Sequence, residues 1–207
     1  RVIGESADLV QLGREDGDAS KDELIDHVAS LAAVVDIPIN VDAERCFADD
    51  PSGVADTIGK LAAAGAGGVS IEDWDPAAGA IDTIDVATAR VAASVEAGRR
   101  HDLVITARCE NHIRGVQDLD DTIVRLAAYR DAGADVLYAP GIKSPEDITR
   151  VVELGLAVNV LNMPGVPATA ELADLGVIRL STGGALARIA YKAMEAAAKS
   201  LLSGGAS

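Results

Sequence analysis

The sequence predicts an α/β fold, a (β/α)₈ barrel of the TIM type, with an open doubly wound sheet as the alternative. Apolar β-branched runs alternate with alanine-rich amphipathic segments along the whole chain. Each strand–loop–helix unit is roughly 25 to 35 residues long, the length expected for parallel β/α packing. No antiparallel hairpin signal separates the units. So many successive units favour a barrel over an open sheet.

The strands are recognised as short apolar runs. They are expected at residues 2–3, 37–41, 69–71, 103–107, 136–139, 157–161 and 177–181. Helices are recognised by their start signals and by apolar residues at helical spacing. They begin at Ser20 and Asp50, cover 86–97 and 119–131, begin again at Ser144, cover 168–174, and end with one from Ala185.

Several start and stop signals have a clear physical cause. Ser20 and Glu23 form a capping-box pattern, and Asp50 precedes a proline suited to a first helical turn. The glycine-rich stretch 64–68 follows a helix and precedes a strand. That order is the reverse of a dinucleotide-binding loop, so the stretch is interpreted as a structural turn.

A single barrel domain over 1–207 accounts for the whole chain of 207 residues. Seven strands and seven helices are predicted, whereas an eight-unit barrel needs one more of each. Because the chain begins inside a strand, the apparently lacking unit is expected to be the first, which leaves strands 2 to 8 of the barrel with their helices.

The net charge of −15 makes nucleic acid and anionic membranes poor partners for this chain. No signal peptide and no apolar run of about 18 residues is present, so a cytoplasmic protein without membrane contact is expected. Cys46 and Cys109 lack paired spacing, which points to free thiols rather than a zinc site or disulfide.

Acidic residues gather where predicted strands end. Asp42 and Glu44 are two residues apart, a spacing that places both on one face of a strand, and Glu72 ends the next strand. Solvated acids or helix caps would explain each alone. Together they predict a hard divalent cation and a small anionic substrate, because strand ends form the active site of such folds. Arg108, after another strand, predicts anion binding, with neutralisation of nearby acids as the alternative.

The strand ends carry a set of motifs in a defined order. They are Leu12–Asp16, Val41–Glu44, Ile71–Asp73, Ala107–Glu110, Asn159–Leu161 with Pro164, and Leu180–Gly183. In this order the chain resembles the isocitrate lyase/phosphoenolpyruvate mutase superfamily, over nearly its whole length.

The resemblance implies a (β/α)₈ barrel that works with Mg²⁺ and often exchanges its last helix, hence a homo-oligomer (dimer or tetramer). Asp42, Glu44 and Glu72 would hold the ion, largely through water. Arg108 would grip a substrate carboxylate or phosphonate, a role suited to its planar fork. Asp16 would reach the same cluster, Glu110 would lie beside Arg108, and three further residues would contact substrate: Ser6, Asn159 and Ser181.

The sequence departs from the family in the loop that follows Asp73. Residues 74–82 contain neither the Lys-Cys-Gly loop of the lyases nor the Lys-x-Asn-Ser loop of the mutases. The proton donor is therefore left open. His112 and Arg114 are candidates because they follow Arg108 and Glu110, and His112 can exchange protons near neutral pH. Cys46 and Cys109 are interpreted as small buried or half-buried thiols.

Three functions follow from the resemblance. The first is a Mg²⁺-dependent lyase that makes or breaks a C–C bond in a small 2-oxo or 2-hydroxy carboxylic acid through an enolate. The second is a mutase or hydrolase acting on a phosphonate P–C bond. The third is a catalytically silent protein that binds a metabolite.

Overall fold

A computed structural model describes residues 3–6 by their backbone and residues 19–204 in full. Seven parallel strands form one sheet, and each strand pairs with its neighbours in chain order. The strands, in chain order, are β1 (Ile3–Ser6), β2 (Ile39–Asp42), β3 (Gly68–Glu72), β4 (Trp74–Asp75), β5 (Ala80–Ile81), β6 (Val104–Arg108), β7 (Val136–Tyr138), β8 (Ala157–Leu161) and β9 (Arg179–Ser181). The main sheet has the order β1-β2-β3-β6-β7-β8-β9, and the two short strands β4 and β5 pair with each other in a separate two-stranded sheet. This order lacks the reversal of a doubly wound sheet.

Contacts of Arg179 show that the sheet curls. Its guanidinium donates to Thr106 Oγ1 in β6 at 2.7 Å and to Asn40 Oδ1 in β2 at 3.4 Å. In a flat sheet β2 and β9 would lie about 24 Å apart, five strand spacings, which no single side chain crosses. The parallel sheet is therefore curved as in a TIM-like barrel, with Arg179 reaching across its concave side.

Seven helices connect and flank the strands within the described residues. They are α1 (Lys21–Ala32), α2 (Pro51–Ala63), α3 (Ile84–Arg99), α4 (Leu119–Asp131), α5 (Pro145–Val152), α6 (Thr169–Asp174) and α7 (Ala185–Leu202). The predicted capping box of Ser20 and Glu23 is confirmed, as are the Asp50 cap and the Ser144 cap. These side chains accept hydrogen bonds from the first-turn N–H groups that have no partner inside the helix.

The core lies between the convex side of the sheet and the helices. β-Branched residues of the strands, such as Val41, Val69 and Ile105, pack against Leu24, Ile58 and Leu126 from α1, α2 and α4. Alternate strand residues face the opposite side, so polar residues such as Asp42, Glu72 and Arg108 share the concave side. The alternation thus separates the packing surface from the polar surface.

The structure contains a short hairpin for which the sequence shows no signal. After β3, Trp74 pairs with Ile81 and Asp75 with Ala80 in a short antiparallel hairpin, β4–β5. Its turn is closed by Asp75 Oδ1, which accepts from the N–H groups of Ala77 and Ala78. Two-residue strands are too short to show an alternating pattern in the sequence. The hairpin also depends on a tertiary contact: Arg45 Nε donates to Asp82 Oδ2 at 3.1 Å, and Arg45 Nη2 donates to Asp82 Oδ1 at 3.0 Å.

The last helix, α7, contributes none of its residues to the core. It exposes a set of large apolar side chains, namely Leu186, Ile189, Met194, Leu201 and Leu202. No helix in the described part of the chain has the length and apolar character needed to cross a membrane.

Candidate active site

Strand register brings the predicted site residues to one edge of the sheet. Glu72 at the end of β3 lies opposite Arg108 at the end of β6, and Arg108 lies opposite Tyr138 at the end of β7. β1 places Ser6 opposite Asp42, the last residue of β2. Since all of these strands are parallel, their carboxyl ends form a common polar mouth, where ligands bind in β/α folds.

Arg108 is the centre of this mouth. Its Nη1 lies 2.5 Å from Asp42 Oδ2, its Nη2 2.7 Å from Glu72 Oε2, and its Nε and Nη2 lie 3.0 and 2.8 Å from Glu110 Oε1. Three carboxylates from three strand ends thus engage all three nitrogens of one guanidinium. The Arg108 guanidinium lies over the ring of Tyr138, with 5.6 Å between Cζ and the ring centroid. The planar fork of an arginine allows these contacts at once.

Burial makes the electrostatics of this cluster strong. Burial raises the pKa of Glu72 well above its ordinary value, with the charges of Glu110 and Asp42 adding to the effect and Arg108 opposing it. For Arg108, burial alone would lower the pKa, but the surrounding carboxylates outweigh it and raise the pKa. The Arg108 guanidinium is therefore permanently charged, whereas burial disfavours ionisation of the Glu72 carboxyl group.

Asp73, next to Glu72, links the segment that carries Glu110 to helix α4. Its Oδ1 accepts from the Glu110 backbone N–H at 2.8 Å, and its Oδ2 accepts from Tyr129 Oη at 2.7 Å and lies 3.5 Å from Arg125. From the sequence, Asp73 has no predicted role of its own. No local signal reveals this role, because Glu110 lies 37 positions along the chain, and Arg125 and Tyr129 lie 52 and 56 positions along it in α4.

A second arginine lies between the hairpin and the acidic cluster. Arg114 stacks on the ring of Trp74, with 4.3 Å between Cζ and the ring centroid. Its Nε lies 3.3 Å from Glu110 Oε2, and its Nη2 lies 3.8 Å from Glu72 Oε1. About a third of its side chain is exposed, so one side of this cation faces solvent.

Asn159 and Ser181 meet on the wall next to Tyr138. Asn159 Nδ2 donates to Ser181 Oγ at 3.0 Å, and Ser181 Oγ donates to Tyr138 Oη at 3.3 Å. Asn159 is buried, and its Oδ1 has no partner among the described residues. The structure therefore joins two predicted pocket residues to Arg108 through Tyr138, which sequence reasoning missed. Its place at a strand end was the available signal.

Glu44 and His112 line two clefts whose described lining residues do not include Arg108. Glu44 has a left-handed backbone (φ 49°) and lines a cleft beside the hairpin with Arg45 and Asp75. Its backbone accepts from the Glu72 N–H at 3.0 Å. His112 lies 3.3 Å from Thr122 Oγ1 and lines a separate cavity with Gly141 and Lys143. Asp16 lies outside the described residues.

Both cysteines are free and buried, in agreement with the sequence interpretation. Burial raises the pKa of Cys46 to about 12 and raises that of Cys109 further. Since the thiolate is the reactive form, neither thiol has the environment of an acid–base catalyst near neutral pH.

The acidic cluster can be compared with the needs of Mg²⁺. The ion prefers carboxylate oxygens, keeps several waters, and is commonly held by only one or two carboxylates. Asp42 and Glu72 provide such donors side by side on Arg108. Among residues 19–204, whose side chains the structure describes, no group of three or more His, Cys, Asp and Glu side chains has the spacing of a direct metal cage. The donor set fits a mainly water-coordinated Mg²⁺ ion.

Known proteins are similar to this chain in both sequence and fold. 2-Methylisocitrate lyase of Escherichia coli K12 is 32% identical over 185 residues, which cover 86% of this chain and 58% of that enzyme. A crystal structure of a candidate lyase/mutase from Burkholderia cenocepacia J2315 is 44% identical, with a TM-score of 0.91, and the match covers 97% of this chain and 75% of that one.

A phosphonopyruvate hydrolase in complex with oxalate and Mg²⁺ has a TM-score of 0.84 at 24% identity. That match covers 99% of this chain and 76% of the hydrolase, and it concerns the fold alone. The chain spans 52 to 58% of the length of five curated relatives that it matches.

The family profile for phosphoenolpyruvate phosphomutase matches residues 5–202, almost the entire chain. The motifs at the strand ends, the curved parallel sheet and this match agree. The chain therefore belongs to the phosphoenolpyruvate phosphomutase family, within the isocitrate lyase/phosphoenolpyruvate mutase superfamily.

Proposed function

We propose that this protein is a Mg²⁺-dependent lyase that makes or breaks a C–C bond in a small 2-oxo or 2-hydroxy carboxylic acid. The bond cleavage would leave an enolate of the small acid. The observation that carries the proposal is the convergence of Asp42, Glu72 and Glu110 on the guanidinium of Arg108 at the mouth of the sheet. An acid-rich site with a permanent cation at its centre suits a metal and an anion together.

Asp42 and Glu72 would hold the ion, largely through water, and Glu44 stays a predicted third ligand. Bound Mg²⁺ supplies positive charge that stabilises an enolate oxygen. Asp42 is the most exposed member of the cluster, with 27% of its side chain accessible against 5% for Glu72 and 1% for Glu110. Substrate is therefore expected to approach Arg108 from the Asp42 side.

The other residues of the mouth have supporting roles in this proposal. Arg108 donates hydrogen bonds to a substrate carboxylate, and Glu110 fixes the plane of the guanidinium through Nε and Nη2. The Asn159–Ser181–Tyr138 chain offers polar groups along one wall. Asn159 Oδ1, which has no partner within the described part of the chain, can accept a hydrogen bond there. Ser6 and Asp16 stay predicted substrate contacts, and His112 stays a predicted proton donor.

Cleavage or transfer of a P–C bond in a phosphonate is the second candidate function. It is favoured by the family profile, which is that of phosphoenolpyruvate phosphomutase. The chemistry would use the same cluster, because both reactions pass through an anionic 2-oxo acid next to a metal. The two candidates differ in the substrate and in the group that leaves.

The test is a substrate screen with purified protein and Mg²⁺. C–C cleavage is followed by release of pyruvate or glyoxylate from small 2-hydroxy and 2-oxo di- and tricarboxylates, and P–C chemistry is followed by ³¹P NMR. Turnover of a carboxylate that disappears in Glu72→Gln, but not in the surface variant Asp120→Asn, supports the lyase. Turnover of a phosphonate alone would replace it by the second candidate, and oxalate binding without turnover would indicate a silent metabolite-binding protein.

A further inference from the structure

We propose that Arg114 determines specificity by binding a second carboxylate of the substrate. The inference rests on the proposed function, because it places a dicarboxylic acid at the mouth formed around Arg108. It assigns a role to the segment in which this chain lacks both family loops, since Arg114 is held by Trp74 from that segment.

The two arginines of the mouth differ in how their donors are used. All three nitrogens of Arg108 contact carboxylates, and its side chain is 13% exposed. Arg114 is 36% exposed, and its two ion pairs, at 3.3 and 3.8 Å, lack hydrogen-bond geometry. Within the described residues no hydrogen bond engages the Arg114 side chain. Its N–H fork is therefore available to an incoming carboxylate, which such a fork binds in bidentate fashion.

Arg114 is also held in place without using its donors. The ring of Trp74 supports one face of the guanidinium at 4.3 Å, an interaction that leaves the N–H edges free. The backbone of Arg114 lies in a tight turn, closed by a bond from the Val116 N–H to the Asn111 carbonyl at 2.8 Å. Asn111 is itself buried and donates to Asp121 at 2.8 Å. A preorganised cation of this kind loses little freedom when it binds.

The position of Arg114 fixes which part of a substrate it can meet. It contacts Oε1 of Glu72 and Oε2 of Glu110, whereas Arg108 contacts the other oxygen of each carboxylate. The two guanidinium groups are thus bridged by the same two acids. A substrate whose first carboxylate meets Arg108 would place a second carboxylate near Arg114, and a monocarboxylate would leave Arg114 unused.

The experiment compares malate with lactate, which lacks the second carboxylate. Calorimetry with Mg²⁺ present measures malate, lactate and oxalate binding to the wild type, Arg114→Gln, Trp74→Ala and the surface control Arg150→Gln. We expect the wild type to bind malate about tenfold or more tightly than lactate, because the second carboxylate adds charge-assisted hydrogen bonds. Arg114→Gln should abolish that preference and Trp74→Ala should reduce it about threefold. Lactate and oxalate affinities should not change in any variant.

A malate preference that survives in Arg114→Gln, while oxalate still binds, would overturn the role of Arg114 and leave the proposed function standing. Failure of oxalate to bind the wild type with Mg²⁺ would overturn both. Circular dichroism establishes that each variant is folded. If Arg114→Gln does not fold, Arg114→Lys replaces it, and a full malate preference in both Arg114→Lys and Trp74→Ala would contradict the inference.

Discussion

Glu72 and Arg108 lie opposite each other at the ends of adjacent strands, and their side chains meet at 2.7 Å. This pair brings two further carboxylates, Asp42 and Glu110, to the same guanidinium. The arrangement brings together carboxylates that can coordinate a metal ion and a guanidinium that can bind an anion. Substitutions of the carboxylates and of Arg108 can therefore separate metal binding from anion binding.

Removal of a cluster carboxylate should weaken Mg²⁺ binding. Asp42→Asn and Glu72→Gln keep an oxygen that can accept from Arg108, but each replaces an ionisable carboxyl group by a neutral amide. We expect Mg²⁺ affinity, measured by calorimetry, to fall about tenfold or more in each variant, because Mg²⁺ is held by only one or two carboxylates. Asp120→Asn, an exposed surface change, is the matched control. Wild-type affinity in both cluster variants would show that the ion lies elsewhere.

Replacement of the central arginine should affect anions more than the metal. Arg108→Lys keeps a positive charge but cannot contact Asp42, Glu72 and Glu110 with three nitrogens. Oxalate affinity in the presence of Mg²⁺ is expected to fall about tenfold or more, and the free energy of unfolding by about 1 to 3 kcal/mol from buried acceptors left unpaired. Arg150→Lys, whose partner Asp120 is exposed, serves as control. Unchanged oxalate binding in Arg108→Lys would place the anion elsewhere.

Asp73 should matter for stability and, through Glu110, for the site. Asp73→Ala leaves the Glu110 N–H, the Tyr129 hydroxyl and Arg125 without their common acceptor. Loss of one partner from such a buried network costs about 3 to 5 kcal/mol, which urea unfolding measures directly. Asp75→Ala, two positions further along in the hairpin, should destabilise the protein far less. Equal losses in the two variants would mean that the Asp73 network contributes nothing special.

Much of the fold could be predicted because its signals are local. The bounds of α4 and β8 agree with the predicted ranges, and the caps at Ser20, Asp50 and Ser144 depend on residues three positions apart. Parallel strand ends also allowed Asp42, Glu72 and Arg108 to be placed together. Alternation along each strand was sufficient for that conclusion.

The remaining features depend on contacts across long sequence separations. Asp73 bonds Tyr129 across 56 positions, and the hairpin is fixed by Arg45 through Asp82 across 37 positions. Glu44 was grouped with Asp42 on the assumption of an extended strand, but the strand ends at Asp42 and Glu44 turns with a positive φ. Neither a distant partner nor a left-handed turn at a glutamate has a reliable signal in one sequence.

The homo-oligomer predicted from the sequence remains a prediction, and α7 suggests how to test it. The helix exposes Ile189 at 65% and buries none of its residues. Light scattering over a range of concentrations should give a dimer or larger species. Ile189→Glu should shift it toward monomer, whereas Val124→Glu, at an exposed apolar position on α4, should not. A wild-type monomer at all concentrations would contradict the prediction.

Calorimetric titration of oxalate, a stable mimic of a small enolate, determines whether Asp42, Glu72 and Arg108 form a metal-dependent anion site. The protein is titrated with and without Mg²⁺, and Glu72→Gln is titrated in parallel. We expect oxalate to bind the wild type only when Mg²⁺ is present, and we expect a strong loss of binding in Glu72→Gln. Absence of oxalate binding in the presence of Mg²⁺, or equal binding without it, would contradict a metal-dependent anion site at Asp42, Glu72 and Arg108.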